Sequence, residues 1–350
     1  MSKYRETANC PIIQEKKLPQ QRALNLELLR IVAMFMVLVI HYDLPIRGIP
    51  TVELWQSDSS SVSLTIIIQS FVVVCVNCFI LISGYFGIRW KWKSFSNLMF
   101  QILFFILVAY IASQFLITET AVPKGILSFF LTKFTTIWFI IAYLGLYMIA
   151  PVLEAYIVTV SVRQLATFIM VFYGFSTFMG YILRCSPEFN EGMSFVSLGG
   201  MYLIGGLLRK SKEYLKKIKE WYAFAGYLIC AIMLTSIFLF ELYMGYDHSP
   251  LGTLNPIVII ESVCLFVFFL KLQISNKWRR SILFFSSSAF AVFLLHVYIR
   301  NTFDTLCTWA HNVSKGSFFC VLAVLIGVFL LSVLVDKLRQ ISFRALMNLF

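Results

Sequence analysis

Apolar residues in this sequence run in blocks of about 20, separated by short polar turns, along nearly the whole chain. Blocks of this length match membrane-spanning helices, whereas a transmembrane barrel would show strands of about 10 alternating residues. The pattern therefore predicts an all-α, polytopic membrane helix bundle of about ten transmembrane helices. The predicted spans are 24–45, 63–88, 95–117, 137–151, 165–183, 193–208, 221–243, 254–272, 282–303 and 317–335.

The polar segments divide the chain into three parts. Residues 1–23 are predicted to be a basic, disordered tail in the cytosol, residues 24–338 the membrane domain, and residues 339–350 a second cytosolic tail. A cleavable signal peptide is the rival interpretation of the first apolar block. That block ends in His41, Tyr42 and Asp43, with no Ala-x-Ala-like cleavage site behind it. The first block is therefore predicted to be a retained membrane helix.

Composition excludes a soluble protein. Hydrophobic residues make up 59% of the chain and charged residues 13%, with a mean hydropathy of +0.83, whereas soluble domains carry about 25% charged residues. The cysteines lie mostly within apolar blocks, which is typical of small packing residues. Cys75 and Cys78 have CxxC spacing, but nothing nearby in the sequence supplies two further ligands. No metal site is expected.

The positive charges are distributed unevenly between the turns. Of the 29 Lys and Arg residues, 22 fall in the two tails and in every second turn, six fall in the remaining turns and adjoining helix ends, and Arg30 lies within the first span. The positive-inside rule then places both termini in the cytosol. Anionic lipid on the cytosolic face accounts for the net charge of +12, so no nucleic-acid partner is expected.

Arg30 and His41 stand out within the first predicted helix. Ten apolar residues separate them, so both side chains lie on one helix face, about 16 Å apart along the axis. Ionisable groups inside a membrane segment usually face a protein interior or a watery cavity, which makes this face a candidate functional site. His41 is a candidate general base and Arg30 a candidate phosphate ligand that Glu27 would orient. The alternatives are an interfacial histidine and an arginine that snorkels to the membrane surface.

Further polar residues lie within apolar blocks. Glu261 in the eighth span must be protonated or paired, and His296 in the ninth span has a context similar to that of His41, with Arg300 one turn further on. Asn77 and Ser83 are weaker candidates because both can bond to backbone carbonyls of their own helix. Trp138 is a candidate substrate contact, with an aromatic belt as its alternative.

The chain resembles the acyltransferase-3 superfamily of integral membrane acyltransferases in the first predicted helix and in several later segments. The most characteristic feature of that superfamily is an arginine, ten residues and a histidine in the first membrane helix, as in Arg30 and His41. The similarity extends over about residues 24–338 and looks closest to the branch that O-acylates surface polysaccharides. The other segments that carry it are 77–88, 137–153, 199–210 and 286–301.

The resemblance implies a function. An acyl group, expected to be acetyl, would move from cytosolic acyl-coenzyme A, a co-substrate rather than a bound cofactor, to a hydroxyl of a cell-surface or lipid-linked glycan. The enzyme would lie in the bacterial plasma membrane. His41 and Glu261 would be catalytic. The coenzyme would be held by Arg30 and a basic turn, and the acceptor by polar residues of several spans. These are Arg89, Lys91 and Lys93 for the coenzyme and Asn77, Ser83, Trp138, His296 and Arg300 for the acceptor.

One departure and two alternatives accompany this interpretation. Many members of the superfamily carry two arginines three residues apart after the second span, whereas this chain has Arg89 followed by Lys91 and Lys93. A saccharide flippase or small-solute transporter would also have about ten helices with buried charges, but the sequence shows no internal repeat. A sensory or scaffolding membrane domain would leave the shared face of Arg30 and His41 unexplained.

Overall fold

The computed structural model describes residues 23–115, 125–186, 188–314 and 318–347, and every regular element within them is helical. This confirms the all-α fold class. Eight helical segments of the described residues are long and apolar enough to cross a membrane. Residues 1–22 of the predicted basic tail (1–23) lie outside the described residues, as do residues 116–124.

Sixteen α-helices are numbered here in chain order. They are α1 (Leu24–Arg47), α2 (Val52–Ser57), α3 (Ser59–Val72), α4 (Cys75–Phe86), α5 (Trp92–Phe115), α6 (Ile126–Thr136), α7 (Trp138–Thr159), α8 (Val162–Ser176), α9 (Phe195–Lys210), α10 (Lys212–Leu215), α11 (Glu220–Tyr243), α12 (Pro256–Lys271), α13 (Arg279–Ser286), α14 (Ala289–Tyr298), α15 (Arg300–Ser314) and α16 (Phe318–Met347).

The sixth and eighth predicted spans correspond to the two 16-residue helices α9 and α12. Each is about 24 Å long, shorter than the roughly 30 Å of a bilayer's hydrocarbon core. Both are largely buried and pack on α4, and α12 also packs on α1. These short helices therefore lie in the middle of the bundle, where protein rather than lipid surrounds them.

Several boundaries differ from the prediction. Helix α7 does not end near Pro151 but continues to Thr159, since one missing backbone donor is tolerated where neighbouring helices pack around it. The last helix, α16, continues beyond the predicted tenth span of 317–335 into the predicted tail of residues 339–350 and remains helical to Met347. The second span is divided into α3 and α4, the ninth into α13 and α14, and the short helix α6 was not predicted.

The two ends of the bundle can be defined by contacts. At one end, called here the basic end, Asn25 at the start of α1 donates to Leu270 O near the end of α12, and Arg339 of α16 donates to Asn97 of α5. At the opposite far end, the hydroxyl of Tyr42 near the end of α1 lies 3.2 Å from His311 of α15. Helix α1 therefore runs from the basic end to the far end and carries Arg30 and His41 between them.

Glycines bring α4 and α9 into backbone contact. The sixth predicted span contains Gly199, Gly200, Gly205 and Gly206, and small residues of this kind predict close helix packing. A Cβ atom added to Gly205 would lie 2.5 Å from Leu81 O, and one added to Gly84 would lie 2.1 Å from Tyr202 O. A Cβ at Gly199 would meet only side-chain methyl groups, at 3.7 Å. The close approach thus depends on particular glycines and not on every glycine of α9.

Substitution of Gly205 by alanine is expected to destabilise the bundle by about 1–3 kcal/mol, because α4 and α9 must separate to admit the methyl group. Gly199→Ala is the matched control, and it should be neutral or slightly stabilising because alanine favours helix. Melting temperatures in detergent would compare the two variants. Equal Tm values would show that α4 and α9 can separate to admit the methyl group without a loss of stability.

Candidate active site

The structure brings together two histidines that are 255 positions apart in the sequence. His41 Nδ1 on α1 lies 2.7 Å from His296 Nε2 on α14. His41 is partly buried, and His296 is fully buried. A hydrogen bond of this length between two imidazoles couples their protonation states. We call this pair the histidine dyad.

The surroundings of His296 determine which ring nitrogens carry protons. His296 Nδ1 lies 2.8 Å from Val292 O, one helical turn before it. Because a carbonyl only accepts, Nδ1 must carry a proton, and Nε2 of a neutral His296 must then accept from His41 Nδ1. A neutral His41 therefore has its lone pair on Nε2. This is the tautomer in which Nε2 of His41 acts as a base.

Aromatic rings enclose the buried side of the dyad. Phe293 and Phe303 meet the His296 ring edge-on, with centroids 5.8 and 5.5 Å away. Phe293 in turn packs on Phe139 of α7, whose ring meets that of Trp138 edge-on. Trp138, a predicted substrate contact, therefore belongs to the aromatic wall that begins at the dyad. The side chain of Arg300 lies outside the described part of the structure.

Arg30 lies toward the basic end on the same helix. Its Nη1 donates to Glu27 Oε2 at 2.8 Å, which confirms that Glu27 orients it. Glu27 is almost fully buried, whereas the side chain of Arg30 is 30% exposed. Tyr143 of α7 lies next to Ser83 and within electrostatic range of Arg30. Ser83 thus lies near the predicted coenzyme ligand, and its hydroxyl donates to Phe79 O at 2.9 Å, as expected from the sequence.

The basic turn after α4 is held by a partly buried polar cluster. The backbone N–H of Ile88 donates to the Tyr202 hydroxyl at 2.8 Å, and that hydroxyl donates to Glu154 Oε2 at 3.3 Å. Arg209 Nη2 donates to Glu154 Oε1 at 2.6 Å. Gly87 has a φ of +75°, which residues with a side chain rarely adopt, and a Cβ there would lie 2.8 Å from Nη1 of Arg209. These contacts fix where the turn leaves the bundle.

The cations of that turn are exposed. The side chains of Arg89, Lys91 and Lys93 make no hydrogen bond or ion pair with any other described residue. They are available to an anion at the basic end. Glu154, Tyr202 and Arg209 were not singled out in the sequence. A carboxylate near the end of one apolar helix and a cation at the end of another are nevertheless a sequence signal for an ion pair such as that of Glu154 and Arg209.

Asn77 and Glu261 lie in a separate part of the core. Asn77 Nδ2 donates to Ser262 Oγ at 3.1 Å, which links α4 to α12. Glu261 is fully buried, and neither of its carboxyl oxygens has a hydrogen-bond partner among the described residues. Cys78, Tyr227 and Cys264 lie within electrostatic range of it. The structure thus brings His41 to His296 but does not bring Glu261 into hydrogen-bond contact with either.

A family model for an acyltransferase domain matches residues 24–337, which includes both histidines and the basic turn. The chain belongs to the acyltransferase-3 family. Searches of curated proteins and of solved structures returned no significant match. This membrane acyltransferase therefore carries its dyad on α1 and α14, with Arg30 on the same helix as His41.

Proposed function

We propose that this membrane acyltransferase moves an acetyl group from acetyl-coenzyme A to a hydroxyl of a cell-surface or lipid-linked glycan. The observation that carries the proposal is the dyad, whose hydrogen bonds put the lone pair of His41 on Nε2. Transfer from a thioester to an alcohol needs a base at the hydroxyl and an anchor for a highly anionic donor. His41 supplies the base, and Arg30 is one of the cations that bind the phosphates of the donor.

The reaction follows from these roles. His41 Nε2 takes the proton of the acceptor hydroxyl while its oxygen attacks the thioester carbonyl carbon. The new C–O bond forms, the C–S bond breaks, and the imidazolium returns its proton to the leaving thiolate. During this step His41 can pass its Nδ1 proton to His296 Nε2, so the positive charge is shared over two rings. Both N–H groups of a protonated His296 then have acceptors, namely Val292 O and His41 Nδ1.

The donor enters from the basic end. The phosphates of the coenzyme pair with Arg30 and with the exposed cations of the turn, Arg89, Lys91 and Lys93. The acyl-pantetheine arm then extends along α1 over the roughly 16 Å to His41. The charge distribution supports a cytosolic location for the basic end and for both termini in a bacterial plasma membrane. The acceptor approaches from the far end, where His296, Trp138 and Arg300 are the candidate contacts.

Reconstitution in liposomes tests this function. Purified protein would be given labelled acetyl-coenzyme A outside the vesicles, with candidate glycan acceptors either trapped inside or omitted. Coenzyme release that depends on the trapped acceptor, with label in the glycan, is the expected result. Release without acceptor would identify a thioesterase, and uptake of an unmodified saccharide would identify a transporter.

A role for Glu261 in the transfer is a separate prediction. Glu261→Gln keeps the shape of the side chain and removes its ionisable group, so a proton-transfer role predicts a loss of turnover of about 10²-fold. Ser262→Ala is the control for general disturbance of α12, because it removes the neighbouring bond to Asn77 instead. Full activity in Glu261→Gln would assign the carboxyl to packing.

A further inference from the structure

Four aromatic rings cluster at the basic end, and one of them, Trp92, meets Trp90 and Phe95 edge-on. The Trp90 indole stacks on Phe95, with centroids 5.2 Å apart and planes at 29°. Tyr147 of α7 meets both rings, with centroids 5.3 Å from Trp90 and 5.9 Å from Phe95. Trp90 nevertheless remains 40% exposed. We call Trp90, Phe95 and Tyr147 the aromatic platform.

The platform adjoins positive charge. Arg89 and Lys91 flank Trp90 in the chain, and Lys93 follows two residues later, all exposed. The turn that carries them is positioned by the Tyr202 hydroxyl, which accepts from Ile88 N. An exposed indole with cations on both sides is suited to a ligand that combines a flat ring with phosphates, because stacking on the ring and ion pairs to the phosphates act together.

A buried hydroxyl within the platform, that of Tyr147, points to a ligand. Tyr147 is 7% exposed, and its hydroxyl has no hydrogen-bond partner among the described residues, which is costly for a polar group in an apolar bundle. Tyr147 lies within electrostatic range of Tyr143, and Tyr143 within range of Arg30. Tyr143 and Tyr147 are four residues apart on α7, so they follow one face of that helix from the platform toward the neighbourhood of Arg30. A ligand arm that extends from Trp90 along α7 toward Arg30 would pass the Tyr147 hydroxyl first.

We propose that the aromatic platform binds the adenine ring of the acyl donor, with Trp90 as its stacking surface. Arg89 and Lys91 then pair with phosphates of the nucleotide, and the pantetheine arm passes Tyr147 and Tyr143 toward Arg30. This inference rests on the proposed function, since it specifies how the same donor is held. The rival explanation is a membrane-interface tryptophan, which would contact lipid headgroups.

The test compares donors with and without the nucleotide. Trp90→Ala should raise KM for acetyl-coenzyme A by about 5- to 100-fold, the usual range for loss of one base-stacking ring. It should leave KM for acetyl-phosphopantetheine, which lacks adenosine, unchanged. Trp90→Phe should restore most of the affinity for acetyl-coenzyme A. An equal loss with both donors would overturn the proposal, because the effect would then be structural.

Trp278 provides a matched control. It also lies between two basic residues, Lys277 and Arg279, and is 60% exposed, but it packs on no other ring among the described residues. Trp278→Ala should leave both KM values unchanged. If it raised KM for acetyl-coenzyme A as much as Trp90→Ala does, the two tryptophans would be membrane anchors and the platform would be rejected.

Direct binding separates this inference from the proposed function. Adenosine 3′,5′-bisphosphate should bind the detergent-solubilised wild-type protein and quench tryptophan fluorescence, and Trp90→Ala should lose that binding while Trp278→Ala retains it. Binding with this dependence, but without acyl transfer in liposomes, would refute the proposed reaction and support the platform. Transfer with no effect of Trp90 on nucleotide binding would refute the platform alone.

Discussion

His41→Ala is expected to lower kcat by about 10²-fold or more while acetyl-coenzyme A binding stays nearly intact. The substitution removes the base that takes the proton from the acceptor hydroxyl, whereas the donor is held by Arg30 and the basic turn at the other end of α1. Single-turnover measurements with labelled donor, together with a binding isotherm, would separate the two quantities. Near-normal turnover would refute the assignment of His41 as the base.

His296 should show a smaller, graded effect because it acts through His41. His296→Ala removes the acceptor that holds the His41 Nδ1 proton, so the catalytic tautomer is no longer favoured and kcat should fall without a matching change in donor KM. His296→Gln retains a carbonyl oxygen that can accept this proton and should recover part of the rate. If all these readouts stayed at wild-type values, the contact would have no role in positioning His41.

Local features of the site follow from the sequence because they depend on helix periodicity. Arg30 and Glu27 are one helical turn apart on α1, and the hydrogen bond from Ser83 to Phe79 O lies within α4. Both could be predicted from spacing alone. The close approach of α4 and α9 at Gly205 was likewise indicated by small residues in an apolar block.

Contacts between distant helices could not be predicted in this way. His41 and His296 were each recognisable as polar residues in apolar spans, but their 2.7 Å contact depends on how α1 and α14 pack. The same is true of Glu154, Tyr202 and Arg209, which lie on two helices and meet only in the folded chain. Pro151 shows the converse. A proline predicts the end of a helix, but the packing of α7 against its neighbours keeps the helix intact to Thr159.

Arg30→Lys is expected to weaken acetyl-coenzyme A binding by about 10-fold or more with little change in kcat. Arginine Nη1 already donates to Glu27, and its planar fork leaves other donors in fixed directions for a phosphate. A lysine ammonium keeps the charge but has no such fork, so it cannot hold both partners in the same geometry. Isothermal titration with acetyl-coenzyme A would measure the loss.

Arg47→Lys is the matched control for this substitution. Arg47 lies on the same helix and pairs with Asp43 one turn before it, but at the far end, away from the proposed donor. Donor affinity should therefore be unchanged in this variant. A double-mutant cycle with Glu27→Gln would show whether Glu27 orients Arg30 toward the phosphate, because the two effects would then not add. If Arg30→Lys instead lowered kcat and left binding intact, Arg30 would act on the reacting groups, and the anchor would rest on the basic turn alone.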